Sequence, residues 1–437
     1  MLVALAGSPR FCARCITQPS PSGRSQLQPV VVMAQSSAKA DSLGSVAVVG
    51  AGVIGANIAY QLSLRGASCT LFDREGPAAA ASGKAGGFLA KDWCDFNEVG
   101  KLARVGFDLH AELAETFRDE HSIEYGYRRL TTLAFAANIL EDERKFRGQA
   151  SDVPDWVDCS PHATHVLGTT DTTAQVHPLQ FVHALLEVAG KKTCGRTKVH
   201  IGTVGGLVLS ELPDGALSVK GVVVDGQEQE FDHVILAAGP WSQYVPDWCI
   251  TGSQTEANSL DLLRQIGGER YHSVTMKAKV TPHALFTQLQ LPGFRRADPE
   301  FYPRPDGEVY VCGLPDGDEK VPTTGPKDVS VEEARCDKLI EMAGMVSSKL
   351  KTASVEKRQS CYLPITEDGL PIMGSMPGVE GLYVCTGHGC WGILNSVVSG
   401  QAIVELLMDG VASVVDLAPF SPERFLNDIE NRKRIAS

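Results

Sequence analysis

The chain has few basic residues and no cluster of them. Its 40 Lys and Arg residues stand against 52 Asp and Glu residues, which leaves a formal net charge of −12. This balance argues against a nucleic-acid-binding surface, because such a surface needs a basic patch. No uninterrupted apolar stretch has the length of a membrane-spanning helix, so we predict no membrane span.

Pairs of metal-ligating residues are also scarce. The chain has 12 cysteines, but only Cys12 and Cys15 form a C-x-x-C pair, and no second pair or histidine cluster accompanies them. We therefore predict no zinc or other metal site. The scatter of the remaining cysteines favours a reducing compartment over secretion.

The N-terminal 40 residues contain no acidic side chain. The first acid is Asp41, and the segment before it is rich in Ser, Pro, Ala and Gln and carries the basic residues Arg10, Arg14, Arg24 and Lys39. This composition is typical of an organellar transit peptide. We predict that residues 1–43 lie outside the fold and direct the chain to a chloroplast, with a mitochondrion as the alternative. A disordered extension of a cytoplasmic protein, or initiation at Met33, stays open.

A glycine fingerprint follows this extension. Residues 45–49 are β-branched and apolar and predict a strand buried on both faces, and Gly50, Gly52 and Gly55 come next in G-x-G-x-x-G order. The first glycine permits a tight turn, the second lets a pyrophosphate approach the backbone, and the third lets the next helix pack on the strand. A second predicted strand ends at Asp73, where an acid should meet a ribose hydroxyl. The unit predicts an adenine dinucleotide site and leaves NAD and FAD open.

The segments after this unit predict further helices and two antiparallel regions. Residues 98–147 are predicted to be mostly helical, and another helix is predicted from Pro178 to about Gly190. Strand-like pieces between residues 198 and 231 predict an antiparallel meander. Residues 271–313 predict a second sheet, which a charged helical region over residues 331–354 would close.

The C-terminal part predicts a second site for negative charge. A buried strand is predicted at residues 382–385, and a helix begins after the glycines of GHGCWGI, residues 387–393. The backbone amides of residues 389–393 would be exposed at that helix N-terminus, where the dipole favours an anion. A reduced flavin is anionic near its pyrimidine end, and such a terminus would stabilise it as the charge develops.

Four motifs in this order resemble the D-amino-acid oxidase, glycine oxidase and sarcosine oxidase superfamily of FAD-dependent oxidoreductases. They are the Gly50 fingerprint, ILAAGPWS at 235–242, TEDGLPIMG at 366–374 and the GHGCWGI helix start. The resemblance covers nearly the whole chain after residue 44 and is nearest to a Tda3-like fungal and plant branch. It implies an α/β fold, in which a Rossmann-like FAD-binding domain carries a second, antiparallel-sheet substrate domain. FAD would lie extended between the N-terminal βαβ unit and the C-terminal segment.

We predict a division of the chain that follows this resemblance. The FAD-binding domain would comprise residues 44–100, 166–255 and 355–437. A helical and substrate-side insertion would occupy residues 101–165, and the substrate domain residues 256–354.

The resemblance also implies the FAD-binding residues. The fingerprint glycines with Val53 and Ile54 would take the pyrophosphate, and Asp73 with Arg74 the adenosine ribose. The candidates for the phosphate and flavin edge are Ser82, Gly83, Lys84, Gly86 and Gly87, and the candidate for the adenine side is Val204. The ribityl region would be bound by Ala238, Gly239 and Trp241. The flavin pyrimidine would be lined by Gly389, Cys390, Trp391, Gly392, Ile393 and Leu394.

The substrate side departs from the family's pattern. The family places an arginine for the substrate carboxylate just before the T-x-D-G turn, where this chain has Leu363, and glycine oxidase has an arginine where this chain has Cys390. A carboxylate would need another cation, and Arg304 or Lys277 could supply it. Arg304 and Tyr302 are therefore the predicted catalytic residues, although a surface arginine at a strand end stays open for Arg304.

Two residues near the predicted flavin leave alternatives open. Sarcosine-type oxidases tether their flavin through a cysteine seven residues before the aspartate of the turn, and Cys361 precedes Asp368 by this spacing. A covalent link and a merely packed thiol are both open. His388 is interpreted as part of a loop that acts mainly through its backbone, with a catalytic base as the alternative.

We therefore predict an FAD-dependent oxidoreductase that oxidises a small amine, amino acid or imino acid by hydride transfer, with oxygen or another acceptor reoxidising the flavin. In such chemistry the flavin takes the hydride and the protein supplies orientation and electrostatics, so no acid–base dyad is required. Three alternatives are kept: an NAD-dependent dehydrogenase, a flavin-binding protein with a regulatory role, and a sarcosine-oxidase-like enzyme with covalent FAD.

Overall fold

The architecture is that of a computed structural model, which describes most of the chain after the N-terminal extension. The described residues are 43–138, 153–159, 161–253, 255, 257–291, 295–316 and 319–426. Residues 1–42 of the predicted transit peptide lie outside them, as do residues 139–147 of the predicted helical region.

Six strands form a mostly parallel sheet around the glycine fingerprint. The strand Val46–Val49 is buried on both faces, as its apolar sequence predicts, and the helix Val53–Leu64 begins directly after the fingerprint. The edge strand Ile372–Ser375 pairs antiparallel with its neighbour, and the other five strands of this sheet run parallel to one another. In spatial order the strands are Ile372–Ser375, Leu382–Thr386, His233–Leu236, Val46–Val49, Thr70–Asp73 and Lys198–Ile201.

The six-stranded sheet is the middle of three layers. One face packs against the long helices Val53–Leu64, Val99–His121, Pro178–Lys192 and Gly392–Asp409. The other face packs against a five-stranded sheet through a second apolar core. That sheet runs Gln227–Glu230, Leu217–Val224, Val204–Glu211 and Cys249–Thr251, and Val379–Glu380 pairs with its second strand. The predicted meander is therefore present, but Lys198–Ile201 is not part of it, because that strand pairs parallel with Thr70–Asp73.

A separate eight-stranded sheet forms the other half of the molecule. Its order is Ser354–Thr366, Ile266–Lys277, Glu308–Asp316, Glu300–Pro303, His283–Leu291, Thr131–Asn138 and Pro161–Gly168, with Arg295–Ala297 paired to His283–Leu291. One face packs on the helices Glu333–Val346 and Ser348–Lys351 through an apolar core. Residues 355–366 pair along this sheet, although our division of the sequence groups them with the FAD-binding domain.

Short elements join these layers. A three-stranded sheet consists of Phe88–Ala90, Thr173–Gln175 and Arg128–Arg129. The short helical segments are Ala81–Lys84, Gly239–Asp247, Asn258–Gln265, Pro326–Asp328, Gly389–Trp391, Ala418–Phe420 and Pro422–Phe425.

The prediction of helix over residues 98–147 is wrong over residues 128–138, where the structure has strands. The helix Val99–His121 ends at Ser122, which adopts a left-handed conformation with φ 54°. Thr131–Asn138 is then an interior strand that pairs with His283–Leu291 on one side and Pro161–Gly168 on the other. Both partners are distant in sequence, so local periodicity could not reveal the pairing.

One helical stretch has the length and composition of a membrane span. In Gly389–Asp409, 72% of the most apolar window is buried inside the protein. A buried core helix passes the same test of length and apolarity, so this stretch is weak evidence for a membrane span.

Candidate functional site

A cavity of about 580 Å³ is lined by residues of the six-stranded and the eight-stranded sheet. Its volume lies within the range of roughly 300–1,000 Å³ that is usual for small-molecule and cofactor sites. One end is formed by the fingerprint and by Asp73, at the carboxyl end of the parallel strands. Ligands bind at this edge in open α/β sheets.

The fingerprint glycines have the separate roles that their spacing predicts. A Cβ at Gly50, whose φ is +111°, would lie 2.3 Å from the carbonyl oxygen of Ala237, so the turn admits only glycine. A Cβ at Gly55 would lie 1.9 Å from the carbonyl oxygen of Gly50, which shows how closely the helix packs on the strand. Gly52 lines the cavity, and its missing side chain leaves the backbone open to a ligand.

The helix that follows the fingerprint directs its N-terminus at the cavity. The helix Val53–Leu64 has no side-chain cap and no acid in its first turn, so nothing on its own sequence neutralises the positive end of its dipole. The Ser82 hydroxyl accepts a hydrogen bond of 2.9 Å from the Val53 amide. A backbone-lined pocket with such an end is suited to a pyrophosphate.

Asp73 and Arg74 occupy the adenosine end of the predicted site. One carboxylate oxygen of Asp73 accepts a 2.9 Å hydrogen bond from the Ala51 amide, and the other accepts two of 3.0 Å from the backbone of residues 75 and 76. These bonds hold the carboxylate at the strand end, where it lines the cavity. Arg74 donates to the carbonyl oxygen of Thr323 at 2.8 Å and so connects this end to a loop of the other half.

On the side of the cavity away from the fingerprint, the glycines Gly239 and Gly389 leave backbone surface open. Gly239 and Gly389 both have φ +56°, both line the cavity, and a Cβ at either would meet nothing within 4 Å. A side chain there would extend into the empty space, so the cavity has a cradle that a flat ring can approach. The helix Gly392–Asp409 begins beside Gly389 without a side-chain cap or an acid in its first turn. These features fit a flavin dinucleotide that extends from the fingerprint to this helix.

The cavity brings together all the predicted cofactor residues except four. Gly55 and Gly83 pack against backbone carbonyl groups of residues 50 and 78 instead. The Lys84 ammonium donates to the carbonyl oxygen of Ser360 at 3.1 Å, and the side chain of Leu394 is fully buried in the helix core. These four residues support the walls from outside.

Arg304 does not line the cavity, whereas Tyr302 does. The buried guanidinium of Arg304 pairs with Glu308 at 3.3 Å, donates to the carbonyl oxygen of Ala85 at 3.1 Å, and lies 5.4 Å from the Tyr310 ring centroid. The prediction that Arg304 faces the substrate is therefore wrong, because its guanidinium lies outside the cavity. Since Glu308 is four residues further on across a hairpin, the local sequence itself supplied the partner that holds the guanidinium.

Glu300 is a cavity residue that the sequence analysis missed. It begins the strand Glu300–Pro303, pairs with Cys312 on the neighbouring strand, and lies two residues before Tyr302. Strand alternation therefore puts Glu300 and Tyr302 on the same face, which lines the cavity. A carboxylate oxygen of Glu300 accepts a 2.5 Å hydrogen bond from the Tyr302 hydroxyl and a 3.6 Å bond from the Cys312 thiol. Burial raises the pKa of this carboxyl to about 7.

Aromatic rings form most of the wall around Glu300. The Tyr302 ring centroid lies 5.5 Å from that of Phe88, 5.8 Å from that of Phe286 and 6.0 Å from that of Tyr310. Tyr271 and Trp391 line the same cavity. This end is therefore an apolar, aromatic pocket, and Glu300 is its one carboxylate among the described lining residues.

The positions where the family carries arginines hold no charge here. Leu363 and Cys390 both line the cavity. Cys361 lines it too, and burial raises the pKa of its thiol to about 11. The His388 ring lies 3.0 Å from the Ser399 hydroxyl, and burial lowers its pKa to about 4, so the ring is neutral near pH 7.

Comparisons with known proteins agree with this geometry. A family model described as DAO, FAD dependent oxidoreductase, matches residues 45–406. A putative oxidoreductase of Schizosaccharomyces pombe is 30% identical and aligns over 87% of this chain and 98% of its own length. The putative oxidoreductase TDA3 of Saccharomyces cerevisiae is 24% identical over 87% of this chain and 95% of its own. A glycine oxidase structure from Bacillus cereus superimposes with a TM-score of 0.65 at 21% identity, over 84% of this chain and 98% of that one.

Proposed function

The chain belongs to the DAO family of FAD-dependent oxidoreductases, and from that premise we propose that it oxidises the carbon next to nitrogen in a small amine, amino acid or imino acid. Oxygen or another acceptor would reoxidise the cofactor. The observation that carries the proposal is one continuous cavity, lined by the fingerprint loop, by an aromatic pocket and by open glycine backbone.

The residues that would hold FAD are those at the fingerprint and at the two uncapped helices. Gly52 and the start of Val53–Leu64 would take the pyrophosphate, Asp73 the ribose, and the backbone at Gly239 and Gly389 the ribityl chain and ring. When bound, FAD accepts a hydride from a carbon–hydrogen bond of the substrate.

The protein's own part in this reaction is orientation and exclusion of water. The rings of Phe88, Tyr302 and Tyr310 form a wall on which an apolar carbon chain can rest, and the burial of the two tyrosines excludes water from it. Holding the reacting carbon against the cofactor replaces a bimolecular encounter with a bound one, which is a large share of the rate in such reactions. No nucleophile is needed for this chemistry.

Anaerobic mixing of the purified holoprotein with a panel of primary amines, secondary amines, amino acids and imino acids tests the proposal. We expect loss of the oxidised flavin absorbance with at least one member, and its return on admission of air or an artificial acceptor. FAD that is bound but reduced by no member of the panel would overturn the proposal and favour a flavin-binding protein with a regulatory role.

We also propose that residues 1–43 direct the protein to a chloroplast. The support is the composition of residues 1–40, which contain Ser and Arg but no acid. A fluorescent protein fused after residue 43 should enter chloroplasts, and its accumulation in mitochondria or cytoplasm would contradict the proposal.

A further inference from the structure

The substrate end of the cavity has one charged side chain within the described part of the chain. The charged residues that line the cavity are Asp73, Arg74, Asp247 and Glu300. Asp73 and Arg74 belong to the fingerprint end, and Asp247 is paired with Arg264 at 2.8 Å. The aromatic end therefore presents Glu300 without a basic partner among the described cavity residues.

The geometry around Glu300 suits a cation. Its hydrogen-bonded neighbours, the Tyr302 hydroxyl and the Cys312 thiol, are neutral donors that fix the carboxylate without cancelling its charge. Phe88 and Tyr302 line the cavity with Glu300, and Phe286, the sheet neighbour of Glu300, packs behind them with ring centroids 5.4 to 5.8 Å apart. Aromatic faces attract ammonium groups, and the attraction is stronger where water is excluded.

The same wall is unsuited to a substrate carboxylate. Leu363 and Cys390, which line the cavity, present only a branched alkyl group and a thiol to it. A carboxylate near ionised Glu300 would meet a like charge in a site with little water, which disfavours its binding.

We propose that this pocket selects amines that lack a carboxylate next to the nitrogen, and that Glu300 binds their ammonium group and then takes its proton. This inference rests on the proposed function for the oxidation itself. In the proton step, an N–H bond of the ammonium breaks, its electron pair stays on nitrogen, and an O–H bond forms on Glu300. The neutral amine that results is the form able to release a hydride, because its nitrogen lone pair can stabilise the carbon that loses it.

The surroundings of Glu300 fit this proton transfer. Burial holds the pKa of its carboxyl at about 7, above the ordinary carboxyl range. The titratable groups around it are Tyr302 and Asp298 on its own side, Cys312 on the next strand, Tyr271 with its hydrogen-bonded neighbour Glu269 beyond, and Cys390 at the helix start. Burial raises the pKa of Tyr302, Cys312, Tyr271 and Cys390, so these four groups stay neutral near pH 7. The charge of Asp298 adds to the rise in the pKa of Glu300, and Glu269 does not line the cavity, so Glu300 is the carboxyl that a ligand meets at this end of the described cavity.

Binding of two matched probes to the holoprotein tests the charge preference. tert-Butylamine is protonated near neutral pH and has no hydrogen on the carbon that bears nitrogen, so it can bind but cannot be oxidised there. Pivalate carries the same tert-butyl group and the opposite charge. Calorimetry and the shift of the flavin spectrum should show tert-butylamine binding at least about tenfold more tightly than pivalate. Equal binding of the two probes, or binding of neither, would overturn the inference.

The variant Glu300→Gln isolates the carboxylate. It keeps the size of the side chain, and we expect it to lose about tenfold or more in affinity for tert-butylamine while its FAD content stays that of the wild type. The matched control is Glu356→Gln, an exposed carboxylate on the outer strand of the same sheet, which should bind both probes as the wild type does. Wild-type affinity in Glu300→Gln would refute the role of Glu300.

The pH dependence of binding gives a second measurement. From about pH 5.5 to about pH 8, tert-butylamine should bind more tightly as pH rises, because only ionised Glu300 pairs with it while the amine stays protonated. Glu300→Gln should remove this dependence, and an unchanged profile in that variant would contradict the assignment.

Different results would refute this inference and the proposed function. If tert-butylamine binds through Glu300 but no amine reduces the flavin, the pocket is assigned correctly and the oxidation is wrong. If amino acids reduce the flavin and amines without a carboxylate do not, the oxidation stands and the assigned substrate class is wrong.

Discussion

The substitution Gly52→Glu should abolish FAD binding without unfolding the protein. Gly52 has φ −75° and ψ −172°, a conformation open to any residue, so a side chain adds no backbone strain. Its Cβ would lie 3.0 Å from the Ser82 hydroxyl oxygen, which a small movement of that side chain relieves. The new carboxylate would extend into the space assigned to the pyrophosphate. One pair of like charges at about 4 Å costs roughly 4 kcal/mol at an effective dielectric constant of about 20, or about a thousandfold in the dissociation constant.

The assay is the ratio of flavin to protein absorbance after purification, followed by titration of FAD into the protein. Gly52→Gln is the matched control, because it has similar bulk without the charge and should retain more FAD. Gly55→Ala should behave differently, since its Cβ would lie 1.9 Å from a backbone carbonyl oxygen and would destabilise the fold itself by about 1–3 kcal/mol. A full flavin complement in Gly52→Glu would refute the placement of the pyrophosphate.

Three further predictions follow from single contacts. Gly86→Val should lower amine oxidation per bound FAD, because a Cβ there would lie 2.6 Å from the Tyr302 ring and displace it; unchanged turnover per bound FAD would contradict the position of that ring. Acid precipitation should leave the yellow colour in the supernatant, since burial keeps the Cys361 thiol protonated with a pKa of about 11; colour in the pellet would indicate a covalent flavin. The free energy of unfolding, measured by denaturant titration, should fall as pH is lowered from about 6.5 towards 4, because burial lowers the pKa values of His110 and His388 to about 4 and the unfolded chain then binds more protons. The loss is at most about 1.4 kcal/mol per pH unit for each histidine, and a flat profile would show that these rings are not buried as neutral groups.

The sequence alone was sufficient to predict the structure where one short segment contains all the residues that determine its geometry. The strand before Gly50, the turn, the helix Val53–Leu64 and the acid at Asp73 are neighbours along the chain, so their spacing alone predicts the dinucleotide site. The open backbone at Gly389 followed for the same reason, because the glycines directly precede a helix. Motifs in a fixed order then identified the family, which the comparisons confirm.

Non-local pairing limited the prediction elsewhere. Arg304 was assigned to the substrate because its hairpin could face the cavity, but only the paired sheet shows that its guanidinium turns to Glu308 and Ala85. Thr131–Asn138 was predicted as helix because its two strand partners lie in remote segments.

The sequence by itself determined the cofactor side of this protein, and tertiary structure decided the substrate side. A phosphate is bound by consecutive backbone amides and a helix end, which one continuous segment provides. The substrate pocket instead combines side chains from several strands, and strand register decides which of them share a face. Glu300 became recognisable as a cavity residue only when its strand was paired with that of Cys312, because that register puts its carboxylate among the aromatic rings.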